Sequence, residues 1–223
     1  MKVEELIRRF RALAGDKTEP YLWSDDEVVD WLNDAQAQAC IRGRLIREDE
    51  LAAVCRIALE PGKHTYRLHP SAYELINLQL VPLADRARPL HLVSREWLDA
   101  ERPDWRTSDR PAEWVIQDDS TIRLVGTVAA GDVLALECYR LPIKDLSAEQ
   151  DQTSPEIHPS HHIHLVDWVL HKAFSVPDAD SFDPTRADKA EAAFTRYFGP
   201  LPDSDMRRTT HVDVPHYNRA ILP

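Results

Sequence analysis

Leu51-Ala52-Ala53-Val54-Cys55-Arg56-Ile57-Ala58-Leu59-Glu60-Pro61-Gly62 is the stretch in which the hydrophobic period of this chain changes from helical to two. Upstream, apolar residues recur at intervals of three and four; here Cys55, Ile57 and Leu59 alternate with Val54, Arg56 and Ala58. Alternation puts one set of side chains on each face of a strand, whereas the wider spacing gathers them along one side of a helix. Pro61-Gly62 then supplies what a type II turn requires, so this strand and the one at residues 65–68 are predicted to pair as a hairpin. A chain that changes period within itself is α+β.

Working outward to the N-terminus, Val3, Leu6, Ile7, Phe10, Leu13 and Ala14 predict a short amphipathic helix stopped by Gly15. A stronger helix opens at Ser24-Asp25-Asp26-Glu27, where the Ser hydroxyl caps a free amide and Glu27 reaches back to the cap. Its stripe is Val28, Trp31, Leu32, Ala35, Ala39 and Ile46, and the small residues let another helix come close.

Towards the C-terminus, strands are predicted at residues 76–80, 90–93, 114–117, 121–125 and 133–141, with one brief helical interruption at 94–101. Strands so short, with turns between them, favour a small antiparallel sandwich or barrel over a parallel sheet. The polar run 142–154 breaks both periods and reads as a linker. Leu165, Val166, Val169, Leu170, Ala173 and Phe174 mark a third long helix. Asp183-Pro184 caps a fourth, with Ala187, Ala190, Phe194, Tyr197 and Phe198 on its stripe and Gly199-Pro200 at its end. The expected layout is a helical domain from 1–50 and 155–199 forming a four-helix frame, a β-domain inserted at 51–141, the linker, and an extended arm at 200–223.

Composition narrows the function. The formal net charge is −11, with acids and bases interleaved and no basic block longer than the Arg42, Arg44, Arg47 group. Tight phosphate binding is disfavoured, because a nucleic-acid binder needs a Lys/Arg-rich face to displace counterions. Cys40, Cys55 and Cys138 are odd in number and without a CxxC spacing, which argues against a disulfide framework or a cysteine zinc site. Neither a signal peptide nor a run of about 20 apolar residues is present, so a soluble protein made in the cytosol is expected.

One group could carry chemistry: His158, His161, His162 and His164, with His171 and Asp167 beyond. His158 and His162 stand four apart, as zinc ligands on a helix do, but Pro159 between them places His158 ahead of the first helical turn. There is no His-Glu-x-x-His pattern, P-loop, Gly-x-Ser-x-Gly or dinucleotide fingerprint. Asp25-Asp26 and Asp118-Asp119 fall at a helix cap and in a turn, their usual structural places. The six Trp residues, at 23, 31, 97, 105, 114 and 168, read as core or interface. No catalytic residue, cofactor or metal is therefore assigned; the alternatives are a metal-dependent hydrolase built on the His cluster and a β-sandwich ligand-binding module.

Three stretches, in their order, resemble the head-to-tail adaptor (connector or neck) proteins of tailed phages. The first is Trp23-Ser24-Asp25-Asp26-Glu27-Val28-Val29-Asp30-Trp31-Leu32-Asn33-Asp34-Ala35-Gln36, similar to the family's opening helix with its Leu-Asn-x-Ala-Gln. The second is Glu60-Pro61-Gly62-Lys63-His64-Thr65-Tyr66-Arg67-Leu68-His69-Pro70, like the family's Gly-x-x-x-Tyr-x-Leu-Pro element, here with His69 between Leu68 and Pro70. The third is Tyr139-Arg140-Leu141-Pro142, followed by Pro155-Glu156-Ile157 and Leu165-Val166-Asp167-Trp168. The resemblance implies a non-catalytic virion protein of the neck, assembled in the host cytoplasm. It implies a twelve-fold homo-oligomeric ring with the portal and other neck or tail proteins as partners, DNA passing without specific binding, and no membrane. It also implies that a terminal segment attaches to the portal or a neighbouring subunit. Met206, Arg207, Arg208, Val212, Val214, Tyr217, Ile221 and Leu222 of the C-terminal arm are the expected contacts.

Overall fold

The computed structural model describes residues 1–83, 85–149, 153–177 and 181–202. Six α-helices lie among them: α1 (Val3–Ala14), α2 (Asp25–Gly43), α3 (Ala52–Cys55), α4 (Arg95–Glu101), α5 (His162–Ser175) and α6 (Pro184–Phe198). The strands are β1 (Arg47–Glu48), β2 (Arg56–Ala58), β3 (Thr65–Arg67), β4 (Ala72–Val81), β5 (Arg88–Leu92), β6 (Trp114–Gln117), β7 (Thr121–Val125) and β8 (Val133–Arg140). The fold is α+β. Its strands form one curled mixed sheet in the order β1-β8-β4-β5-β6-β7-β3, with β2 also paired to β8. Two compact units divide the chain: Met1–Glu48, Ser71–Glu74 and Cys138–Leu201 in the first, and Asp49–Pro70 and Leu75–Glu137 in the second.

In the first unit, α1, α2, α5 and α6 bury a shared core that includes Leu6, Phe10, Leu32, Leu165, Val169 and Phe194. The cap of α2 forms as its sequence requires: Ser24 Oγ accepts from the Glu27 amide at 3.2 Å, and Glu27 accepts from the Ser24 amide at 2.8 Å. Those Ser24 hydrogen bonds hold the Glu27 carboxyl below its usual range. Ala35 and Ala39 are fully buried, the close helix approach that small side chains permit. Between α1 and α2 the chain wraps around Arg11. Its guanidinium donates to Asp16 at 2.7 Å, to the Trp23 carbonyl at 3.1 Å and to Asp25, and stacks on Tyr21.

The returning chain is bound by polar residues of α2. Asn33 acts as a substitute peptide group, with Nδ2 donating to the Leu146 carbonyl (3.1 Å) and Oδ1 accepting from the Leu146 amide (2.8 Å). One turn on, buried Gln36 accepts from the Glu156 amide at 3.0 Å. Asp34 accepts from Trp168 Nε1 (2.8 Å) and pairs with Lys172 (3.0 Å) on α5. Leu146, within the run read as a linker, is thereby fixed, and Leu146 and Ile157 enter the core. Arg140, only 6% exposed, completes the arrangement: Nε meets Glu48 at 3.0 Å and a terminal nitrogen meets Glu156 at 2.6 Å. A buried guanidinium is tolerated because it is paired on both sides.

In the second unit, β5 and β6 run parallel, with His91 opposite Trp114 and Leu92 opposite Val115. This corrects the expected antiparallel sandwich or barrel: the sheet is mixed and single. The physical reason lies in the helical interruption, which is α4. A helix between two strands is a crossover connection, and a crossover brings the second strand back in the same direction. Leu98 of α4 packs with Trp105, Ile116 and Val125. The predicted hairpin is also corrected. The turn is present, with Gly62 at φ 79° and the Lys63 amide donating to the Glu60 carbonyl at 3.1 Å. The flanking strands part, however, β2 pairing with β8 and β3 with β7. Tyr66 explains the divergence in part, since its hydroxyl accepts from the Glu60 amide and donates back to a carbonyl of the turn, which stabilises the turn without a ladder beneath it. Gly126 marks a tight backbone crossing: at φ 109°, a Cβ there would lie 2.5 Å from the Arg110 carbonyl oxygen.

Two outcomes follow from this packing. Leu165→Ala removes a fully buried side chain and is expected to cost about 3 kcal/mol, read from the urea midpoint at constant slope. For Glu156, burial disfavours the charge, but the Arg140 and Ile143 hydrogen bonds outweigh it, so the folded carboxyl sits below the ordinary value of 4.5. The unfolded chain then binds more protons between the two values, and stability rises with pH. This contribution is present above about pH 4.5 and is lost as pH falls through the folded value. Urea midpoints measured from pH 7 to pH 3, relative to each protein's neutral value, should therefore fall less steeply in Glu156→Gln than in the wild type.

Candidate functional site

The five histidines singled out by sequence diverge. His158 precedes α5 and caps the short 3-10 turn Pro159–His161, its Nδ1 accepting from the Ser160 amide at 3.3 Å. His162, 2% exposed, turns inward, with Nε2 2.8 Å from the Ile157 carbonyl and Nδ1 2.7 Å from the Met1 amine. Nδ1 also lies 3.1 Å from the Met1 carbonyl, so both ring nitrogens are engaged with backbone groups. His171 points to α6, its Nδ1 3.2 Å from the Ala187 carbonyl. His161 and His164 both meet Tyr197 of α6: His161 Nδ1 lies 3.2 Å from the phenol oxygen, and the His164 ring stacks on Tyr197 with centroids 3.5 Å apart.

This arrangement makes an imidazole–phenol surface, not a convergent ligand set. Among the described residues, no three His, Cys, Asp or Glu side chains gather as for a metal ion. Burial, and then the neighbouring His158, His162 and His164, push the His161 pKa down, while burial pushes that of Asp167 up. Both shifts favour the neutral forms. The Cys40 thiol is pushed up to about 12, chiefly by burial, which keeps it protonated and inert. Asp25 and Asp26 occupy the first turn of α2 and Asp118 the β6–β7 turn, as their sequence positions suggested. Trp23, Trp105 and Trp168 are buried.

The expected arm contacts Met206, Arg207, Arg208, Val212, Val214, Tyr217, Ile221 and Leu222 lie outside the described residues. A surface that sequence reasoning missed stands at one end of the helical unit, where α1 and α5 finish and α2 and α6 begin. Leu13, Leu22 and Phe182 are 47%, 49% and 53% exposed there, and Tyr21 and Val176 are also exposed. Several contacts bring these segments together. Arg186 stacks 3.7 Å over Phe174 and donates to the Leu13 carbonyl at 3.0 Å; the Asp183 amide donates to the Phe174 carbonyl; Trp23 packs edge-on to Phe174. Beside them a groove of about 430 Å³ is lined by Ile7, Arg11, Lys17, Tyr21 and Ala148, among others. The signal available in sequence was weak: Leu22 and Phe182 belong to no periodic stripe.

The opposite end of the same unit is polar and aromatic. There Arg42 near the end of α2 reaches Thr195 of α6 at 2.9 Å, Met1 meets His162, and the chain leaves α6 beside Tyr197. No described helix is long and apolar enough to cross a membrane.

No curated protein matches the chain in sequence. A family match, in contrast, spans residues 1–216, under the description SU10 adaptor protein. It covers the capped helix, the β-rich middle and the returning helices in one alignment, where the three motifs had suggested an adaptor piecemeal. The chain belongs to the SU10 adaptor protein family, and with it to the head-to-tail adaptors of phage virions that its motifs resemble.

Proposed function

We propose that the protein is a non-catalytic component of the phage neck. It forms a twelve-fold ring below the portal, joins capsid to tail, and lets DNA pass. In this reading residues 1–50 and 155–199 are the helical domain, a four-helix frame, and 51–141 are the inserted β-domain. Residues 142–154 link them, and 200–223 are the arm that meets the portal or a neighbouring subunit through Met206, Arg207, Arg208, Val212, Val214, Tyr217, Ile221 and Leu222. Its partners are the portal, other neck or tail proteins and further copies of itself.

The observation that carries ring formation is the polarity of the helical unit. One end presents Leu13, Leu22 and Phe182, and the other presents His161, His164 and Tyr197. Two unlike ends favour head-to-tail contacts, and such contacts close into rings when the rotation per copy divides a full turn. Charge supports passage of DNA. A chain of net charge −11 offers little counterion-release attraction, so a moving genome is not held at every step.

Purified protein mixed with portal-bearing capsids that lack a neck should co-sediment with them at a fixed ratio to portal subunits. Particles without a portal should bring down none. Equal recovery with both kinds of particle, or with neither, would contradict the proposal.

A further inference from the structure

We propose that His161 is an acid-sensitive latch: it holds the last turn of α6 against the start of α5 near neutral pH and releases it in mild acid.

His158, His161, His162 and His164 crowd the start of α5, and two of them close on one phenol. His161 Nδ1 lies 3.2 Å from the Tyr197 oxygen, and its ring meets Tyr197 and Phe198 with centroids 5.8 Å and 6.0 Å away. His164 stacks on the same Tyr197 ring at 3.5 Å, with 20° between the planes. Tyr197 and Phe198 end α6, which Gly199 stops, and Phe198 is buried in the shared core. The two imidazoles thus pin the last turn of α6 to the start of α5.

Positive charge acts on these two rings in opposite ways. The titratable neighbours of His161 are His158, with ring centroids 6.1 Å apart, His162 and His164, all able to carry the same charge. The Met1 amine, against His162, adds another cation. From α2, Arg42 reaches Thr195, and α6 has Arg196 in its last turn. Among the described residues no carboxylate comes within ion-pair distance of His161. As the N-cap of α5, with no acid in the first turn, His161 stands where the helix dipole opposes a cation. The carbonyl end of α6 favours one, but Arg42 and Arg196 already serve it. Burial, and then His158, His162 and His164, accordingly hold the His161 pKa below the ordinary 6.5. His164 differs. Its Nδ1 is 3.9 Å from Asp167, and a charged ring stacked on a phenol gains a cation–π attraction.

With His161 turned into water, the opened junction binds more protons than the closed one at pH values between the two pKa values. The holding contribution is therefore complete above about pH 6.5 and is lost as pH falls through the lower, closed-state value. Glu156 acts only below about pH 4.5, outside this window. Release removes the His161 contacts from Tyr197 and Phe198 and loosens the turn closed by the Gly199 amide, which donates to the Thr195 carbonyl at 2.8 Å.

The test is hydrogen exchange of the Gly199 amide in the full chain at pH 7.5 and pH 5.5, corrected for intrinsic exchange, beside an NMR titration of the histidine rings. Protection should fall roughly threefold or more in acid. Its midpoint should match that of the His161 ring, below 6.5. His161→Phe keeps an aromatic ring without the charge and should abolish the fall. His164→Ala should lower protection at both pH values and preserve their ratio. Equal protection at the two pH values in the wild type overturns the inference, as does a wild-type His161 midpoint at or above 6.5, a reading that needs no variant. An undiminished fall in His161→Phe, or its loss in His164→Ala, assigns the sensing to another group and overturns it as well.

Discussion

Helix α2 has to bury an apolar stripe and, on the flank of that stripe, satisfy the backbone of a chain segment that returns more than a hundred residues later. Asn33 and Gln36 meet the second demand. A side-chain amide is the one group that can donate and accept as a peptide does, and Asn33 uses both functions on Leu146. Without Asn33 the amide of buried Leu146 would lose its partner, at a cost of about 1–3 kcal/mol. Arg140 depends on the result. Its pairing with Glu156 requires the returning segment to be in place, and Glu48 then closes the other side of the guanidinium.

The same constraint explains a motif. Leu-Asn-x-Ala-Gln, met in the sequence as Leu32-Asn33-Asp34-Ala35-Gln36, is a set of five neighbouring side chains with separate tasks. Leu32 and Ala35 enter the core, Asp34 receives Trp168 and Lys172, and Asn33 and Gln36 hold the returning chain. A helical unit assembled from the two distant parts of one chain needs its incoming and outgoing segments locked together. This motif supplies such a lock within the helical unit.

Local chemistry made much of the fold legible. The Ser24 cap, the stop at Gly15, Asp183-Pro184 and the apolar stripes of four helices all depend on residues within one or two turns of each other. Strand partners were not legible, because alternation tells which face a residue takes and not which strand lies beside it. Cys55 and Val54 were read as strand but close the short α3, and β2 and β3 diverge from their shared turn. The parallel pair was signalled by the helix at 94–101, whose meaning as a crossover was missed. At the candidate sites, the spread of His158, His162 and His171 followed from Pro159 and helical spacing. Leu22 and Phe182 escaped notice because an exposed apolar residue has no periodic signature.

Amide hydrogen exchange at Leu146 and Glu156, compared between the wild type, Asn33→Ala and Gln36→Ala, tests the role of α2 most directly. Loss of one hydrogen bond worth about 1 kcal/mol speeds local exchange roughly fivefold. Asn33→Ala should produce that acceleration at Leu146, and Gln36→Ala at Glu156, with the amides inside α1 and α5 slow in both. Exchange at Leu146 and Glu156 that matches the wild type in both variants would mean that α2 does not hold the returning chain.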